Sequence, residues 1–387
     1  MSHRFGFKGN LALMVSHCAG MLDLVALPLW VGILVASYQF DSQQAGGLVT
    51  LFLIGAVCAS ILIAPRFKNV NRRMVASVGF LASGVCFFVA SQTNDYIQLA
   101  LLHLVAGICS SAALSMAHGM FARGESPHRL FAIAGFTLGI MAFIFMGATP
   151  NITKVAGGHS LFIIFGGIMT FAAFICAVAF PSLGLGDEES ANTKQVITKI
   201  PSNVWYGIVG ISLMAVTQAM TFSFMERVGN DRGFSADSVT MVLIVLTLIN
   251  IVAAASAGIF EKRVSARVVL CAGPVLQIIL SNIMMNASSF VFYAASASCF
   301  VSLMIFTHTF VFGLLARLDV SGRAMAATPA MLMIGAAVGP VLGGTIIKFF
   351  GYQGIGIAAF VFGSISLVCF ICVFRARPVM VQPKPLA

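Results

Sequence analysis

Long apolar runs separated by short polar loops dominate this chain, and twelve of them are long enough to cross, or nearly cross, a bilayer. The pattern predicts spans over residues 11–37, 44–64, 74–90, 96–118, 130–149, 160–180, 204–225, 239–259, 268–285, 290–315, 324–349 and 354–373. Runs of this length, without the period-two alternation of lipid-facing barrel strands, are helices. The first run follows Met1-Ser2-His3-Arg4-Phe5-Gly6-Phe7-Lys8 and lacks a small-residue cleavage site, so it reads as a retained helix and not a signal peptide. An even number of crossings puts both termini on one side.

Composition agrees with this pattern. Of 387 residues 59% are hydrophobic and 9% charged, against a charged share of roughly 25% in soluble domains, which makes this an all-α integral membrane protein. With the termini placed in the cytoplasm, only Lys154, Arg227, Arg232 and Lys348 of the 22 Lys and Arg fall outside. That bias orients the chain in the cell (inner) membrane. The formal charge of +10 is then an orientation signal, and no nucleic acid is expected as a partner. The nine cysteines all lie in apolar spans, where a thiol behaves as a small hydrophobe, so no disulfide is expected. Cys369-x-x-Cys372 has neither the loop setting nor the second pair that metal or redox chemistry needs.

The longest polar stretch divides the chain into an N-terminal six-helix bundle over 1–180, a cytoplasmic linker over 181–203, and a C-terminal six-helix bundle with a short tail over 204–387. The halves repeat. Ala122-Arg123 and Arg129 match Ala316-Arg317 and Arg323 at a spacing of 194, and the same spacing aligns Lys68, Val70 and Arg73 with Lys262, Val264 and Arg267. Two loops sharing one offset imply two bundles related by pseudo-two-fold symmetry about the membrane normal, with a path between them.

The residue most in need of explanation is Asp23, an acid roughly 18 Å into the first span. A carboxylate at that depth costs several kcal/mol unless it faces a cavity, finds a partner or holds a proton. Ser16, Gly20, Asp23, Leu27 and Trp30 share a helical face, which predicts the wall of a solvated path. Further polar steps are Gln218 and Thr221, Asn250, and Ser298 and Ser302. Each serves either as an interhelical hydrogen bond of ~0.6 kcal/mol or as cavity lining. Glu226 and Arg227 close the seventh span as interfacial charges or an outer gate. Asn151-Ile152-Thr153 fits a glycosylation acceptor in an outer loop.

These features together resemble the major facilitator superfamily over the whole chain. Gly258-Ile259-Phe260-Glu261-Lys262-Arg263-Val264-Ser265-Ala266-Arg267 is similar to that family's loop signature G-x-x-x-D-R-x-G-R-R, and the N-terminal copy keeps Arg66, Lys68, Arg72 and Arg73. Asp23 with Ala26-Leu27-Pro28 resembles the first-helix signature of the family's drug:proton antiporters. His103-Leu104-Val105-Ala106-Gly107 resembles their R-x-x-x-G, with His in the Arg position. Their G-x-x-x-G-P-x-x-G-G appears in the eleventh span, as Gly335 through Gly339-Pro340 to Gly343-Gly344.

The resemblance implies that the first and fourth helices line a central cavity, so that Asp23 and His103 face each other as a proton-coupling pair. It adds Gly107 to the cavity candidates, and it makes Glu261, Lys262, Arg263, Arg267, Gly335, Gly339, Pro340 and Gly343 conformational elements. Pro340, with Pro329, is expected to break or bend the eleventh helix.

The expected function is secondary transport of a small molecule by alternating access, driven by protons, with export by antiport first and uptake of a sugar or monocarboxylate by symport second. Without a G-x-x-x-x-G-K-[ST] a nucleotide-driven pump is excluded. A membrane enzyme or a ring-lined pore would need clustered acids or symmetric charges. Four intramembrane histidines, His17, His103, His118 and His308, have no ligating neighbours at i+4 and predict no metal. No cofactor is expected. The partners are the substrate, protons and the lipid bilayer, and the protein is read as a monomer. With no Arg or Lys deep in a span, a phosphate or dicarboxylate lacks its clamp, and a neutral or cationic, fairly apolar compound fits the Phe- and Met-rich interior better.

Overall fold

A computed structural model of the chain describes residues 5–63, 66–67, 70–121, 123, 127–181, 201–260, 263–318 and 328–375. Their order is α1 (Gly6–Gly20), α2 (Leu22–Ala36), α3 (Ser42–Ile63), α4 (Arg72–Ala90), α5 (Tyr96–Phe121), α6 (Pro127–Ala156) and α7 (Ser160–Ala179). The second half holds α8 (Ser202–Phe222), α9 (Met225–Asp231), α10 (Ala236–Phe260), α11 (Ala266–Asn286), α12 (Phe290–Leu318) and α13 (Thr328–Arg375). Among these residues, eleven helical stretches are long and apolar enough to cross a membrane. The last, Leu332–Arg375, has 44 residues, about two bilayer thicknesses.

That last stretch makes two crossings. Gly351, at φ 67° and ψ −172°, interrupts it. Before it, Gly335, Gly339 and Gly343 pack on Ala215, Ala219 and Met220 in rising order; beyond it, Phe370 and Val373 meet Gly210 and Gly207 in falling order. One limb of α13 therefore runs parallel to α8 and the other antiparallel. Among the described residues the twelve crossings expected from the sequence are found, with the turn between the last two inside the expected 350–353 gap, but the break expected at Pro340 is not. The helix continues through Pro340, its non-helical dihedrals fall at Gly351, and Pro329 sits in the first turn, where a missing N–H costs nothing.

Helix packing shows the two-fold relation. In the first half, α3 and α4 pack on α5, α4 on α7, and α1 on α5 and α7; in the second, α10 and α11 pack on α12, α11 on the second limb of α13, and α8 on α12 and α13. Asn71 and Ser265, 194 residues apart, cap α4 and α11 in the same way, each accepting from the N–H three residues on, of Met74 and Val268. The outward surface keeps Ile97, Leu101, Phe174 and Ile357 exposed, as a lipid-facing surface must.

Two crossings are broken, and in the same way. Met21 (φ −105°, ψ 11°) separates α1 from α2, and Phe224 (φ −108°, ψ 7°) precedes α9. Each break sets an acid second in the new helix, Asp23 in α2 and Glu226 in α9. Carboxylates in a first turn complement the free N–H groups there. The single unbroken first span expected over 11–37 is thus two helices.

Candidate functional site: the buried acid and the seam between bundles

Asp23 is 5% exposed. Its Oδ1 accepts from the Leu24 N–H at 2.8 Å. Trp30, seven residues on and on the same face, is fully buried among Phe52, Phe87, His103 and Phe165. Gly32, nine residues on and so on the opposite face, meets Glu226 of α9. The Asp23 face therefore turns into the first bundle, and the Gly32 face toward the second.

This orientation corrects the expected solvated stripe. Ser16 bonds Ala12 O at 2.7 Å and lies 3.0 Å from Cys176 Sγ of α7, and a Cβ at Gly20 would meet Leu114 of α5. Small and aromatic residues along this face serve packing within the bundle. Gly107 also serves packing: a Cβ there would overlap the Phe52 carbonyl where α3 crosses α5. His103 is fully buried, donates from Nδ1 to Leu99 O at 2.7 Å, and leaves Nε2 without a partner. Its ring lies 5.3 Å from that of Trp30. No hydrogen bond or ion pair joins it to Asp23, so the expected facing pair is separated here, with Trp30 about two helical turns beyond the acid.

Sequence reasoning missed a different pair. His17 Nδ1 of α1 and His118 Nε2 of α5 share a hydrogen bond at 3.0 Å, under Phe121 and Phe131. Each histidine could be seen in the sequence, but their pairing could not. His308 bonds Met304 O at 3.0 Å. Among the described residues no cluster of three or more metal-ligating side chains occurs.

In the second bundle, Thr221 Oγ1 and Ser281 Oγ lie 2.9 Å apart, and Gln277 donates to Met214 O at 3.1 Å and to Gln218 Oε1 at 3.3 Å. Gln218 Nε2 and Asn250 Oδ1 are buried without partners. Ser302 bonds Cys299 O at 2.8 Å. Ser298 lines a groove of about 380 Å³ between α10 and α12, with Met241, Val245 and Phe290. Arg263 is exposed, and Arg267 lies over the Phe374 ring. Glu261 and Lys262 lie outside the described residues. Asn151 and Thr153 belong to α6 and not to a loop.

The bundles meet along a seam. Its element pairs are α3 with the first limb of α13, α6 with α10, and α2 with α8 and α9. The first two pairs exchange under the two-fold, since the second and fifth crossings correspond to the eighth and eleventh. The seam is closed on the half away from the termini. A Cβ at Gly46 would overlap Pro340 O, one at Gly344 would overlap Ser42 O, and one at Gly32 would overlap Glu226 Oε2. Thr50 Oγ1 accepts from the Val341 N–H at 3.2 Å, and Lys348 Nζ reaches Asp41 Oδ2 at 2.8 Å. The Asp41 carboxyl lies outside the spans: partial burial raises its pKa, but bonds from Lys348 and the Gln44 and Gln43 amides outweigh this and hold it below its usual value.

Two six-helix bundles related by a pseudo-two-fold and closed on each other at one end have the architecture of a membrane carrier. The family model of the Major Facilitator Superfamily matches residues 12–318 and 207–386, and the chain belongs to that family: it is a transporter and not an enzyme. The fold is similar to that of a bacterial homologue of the human lysosomal transporter Spinster, in an inward-facing and occupied conformation (14% identity, TM-score 0.74, 100% of both chains covered). It is also similar to the nucleoside transporter NupG (15%, TM-score 0.69, 95% of this chain and 99% of that one) and to a D-xylose-proton symporter (12%, TM-score 0.75, 97% and 98%). No curated protein matches the chain in sequence.

Proposed function

We propose that the protein is a proton-coupled carrier of the cell (inner) membrane, exporting a neutral or cationic small organic molecule by proton antiport. The observation that carries this reading is Asp23, a carboxyl buried within a membrane span, with a hydrogen bond from one backbone N–H and no cation beside it. An ionised carboxylate in that setting is costly, and a group that must lose and regain a proton is what coupling requires. His103, with a free buried Nε2, is the second protonation candidate, acting from behind Trp30. In this reading the units are 1–180 and 204–387 about a 181–203 linker, and the carrier works as a monomer.

The excess of Lys and Arg on the side of the termini supports a cytoplasmic location for both ends. The closed half of the seam then faces outward, and the conformation is inward-facing. Gln218 Nε2 and Asn250 Oδ1, the two unpartnered atoms, are the groups of the second bundle offered to a substrate, with Thr221, Ser298 and Ser302 as further candidates. Arg263, Arg267, Gly335, Gly339, Pro340 and Gly343, with Glu261 and Lys262, serve the conformational change.

The test is reconstitution into proteoliposomes under an imposed pH gradient, with panels of apolar cations, neutral compounds, sugars and monocarboxylates. Asp23→Asn is expected to lose uphill movement and keep counterflow of labelled substrate. Uphill transport by Asp23→Asn at the wild-type rate and pH profile would remove Asp23 from the mechanism. Lumenal pH reports direction: co-movement of substrate and proton would replace antiport by symport.

A further inference from the structure

Glu226 is the acid on the seam. It follows the break at Phe224, and its Oε2 lies against Gly32 of α2, on the face of that helix opposite Asp23. Oε1 accepts from Asn230 Nδ2 of the same helix. The nearest cation is engaged elsewhere: Arg227 bonds Asp231, with N–O distances of 3.1 and 2.9 Å. Tyr352 of α13 also donates to Asp231, at 2.6 Å. From α12, Tyr293 donates to Met225 O at 2.8 Å, and Arg232 donates to Met285 O of α11 at 2.9 Å. From α2, Gly32 offers only its backbone, and α10 offers Val239, which packs on Gly229. The carboxyl is thus half-buried, with Oε2 against the Gly32 backbone and Oε1 on Asn230, and the charged groups around it are already paired with one another or with backbone carbonyls.

We propose that Glu226 is a second proton-binding site, whose proton locks the two bundles together on the half of the seam away from the termini. When that half opens, α9 separates from α2 and the carboxyl is hydrated, so ionisation is favourable there. When it closes, Gly32 replaces the water on one side, and a bare carboxylate would be desolvated there against backbone, with the adjacent Arg227 committed to Asp231. Closing therefore takes one proton from the solution on that side onto Glu226, and opening returns it. The glycine at 32 is required because any side chain would occupy the carboxyl's place. The mechanism adds to the role given to Asp23, on a different helix face, and does not depend on it.

The test needs no substrate. Spin labels are placed at Val155 and Ala236 through a noncanonical amino acid, leaving the native cysteines intact, and the distance distribution across this end is measured in liposomes from about pH 5 to about pH 9. Wild type is expected to shift from the short toward the long distance as pH rises. Glu226→Gln, which keeps the hydrogen-bonding shape without the charge, is expected to hold the short distance throughout. Glu226→Asp, drawn back from Gly32, is expected to keep the response with a displaced midpoint, and it carries the test if the Gln variant does not fold. Asp23→Asn is expected to respond as wild type does. A wild type insensitive to pH, or a Glu226→Gln protein that opens with the wild-type midpoint, would overturn the proposal; an altered response in Asp23→Asn alone would assign the switch to Asp23.

Discussion

Lys348 Nζ lies 2.8 Å from Asp41 Oδ2, and the two residues come from opposite bundles. The pair is open to solvent at 39% and 40% exposure, so screening limits it to less than about 1 kcal/mol. Lys348→Ala is expected to move the conformer balance at this end by no more than about fivefold, read by the same spin-label distances. Asp41 is held below its usual value, so the contact is complete above the ordinary carboxylate range and weakens only as pH falls through and below that range. It should therefore leave any response between pH 5 and pH 9 unchanged, and Asp41→Asn is the control for Glu226.

The backbone crossings hold the seam more strongly. A methyl at Gly46 or Gly344 would overlap the carbonyl of Pro340 or Ser42 in the other bundle, an insertion costing about 1–3 kcal/mol. The bundles can relieve that strain by separating. Gly46→Ala and Gly344→Ala are expected to populate the open form at this end without lowering the melting temperature of either bundle. Gly107→Ala makes the comparable overlap with Phe52 O inside one bundle, where nothing can separate. It is expected to lower thermal stability and leave the conformer balance alone; the reverse pattern would mean that the seam is not closed by these crossings.

The spans were legible in the sequence because burial in lipid demands an apolar run of fixed length, and that demand is local. The loop repeat was legible for the same reason, and Asn71 and Ser265 bear it out as matching caps. The breaks at Met21 and Phe224 were not: each lies inside a long apolar run, and the Gly20 and Ser223 that precede them are residues such runs carry at many unbroken positions. Helical phase relates Asp23 and Trp30 within α2, whereas Ser16 lies across the break in α1, and phase does not say which bundle a face meets. Gly32 carried the answer through its contact with Glu226, and a glycine among Val31 and Ile33 announces nothing.

His103 offers a test of how tightly the first bundle is packed. Trp30, Phe87 and Phe162 surround its ring, with centroids 5.3 to 6.1 Å away. Arginine, the residue usual at this place in the antiporters the sequence resembles, would bring a fixed charge into that cage. His103→Arg is expected to cost several kcal/mol, the scale of an unpaired buried charge, and to reduce folded yield. His103→Gln can still donate to Leu99 O and should fold. Normal melting of His103→Arg would show that the cage opens to water.

The His17–His118 pair fixes α1 to α5 on the half of the first bundle nearer the termini. With a single hydrogen bond at 3.0 Å between ring nitrogens, one imidazole donates and the other accepts, so the pair is satisfied when both rings are neutral. Removing one ring leaves the other nitrogen buried without a partner, a loss of about 1–3 kcal/mol. His118→Leu is expected to lower the melting temperature in detergent, and His118→Gln, which can still donate or accept, to recover much of the loss. The double variant His17→Leu with His118→Leu orphans no nitrogen and is expected to melt above His118→Leu alone. If the losses simply add, the two rings do not depend on each other and the contact contributes nothing to holding α1 against α5.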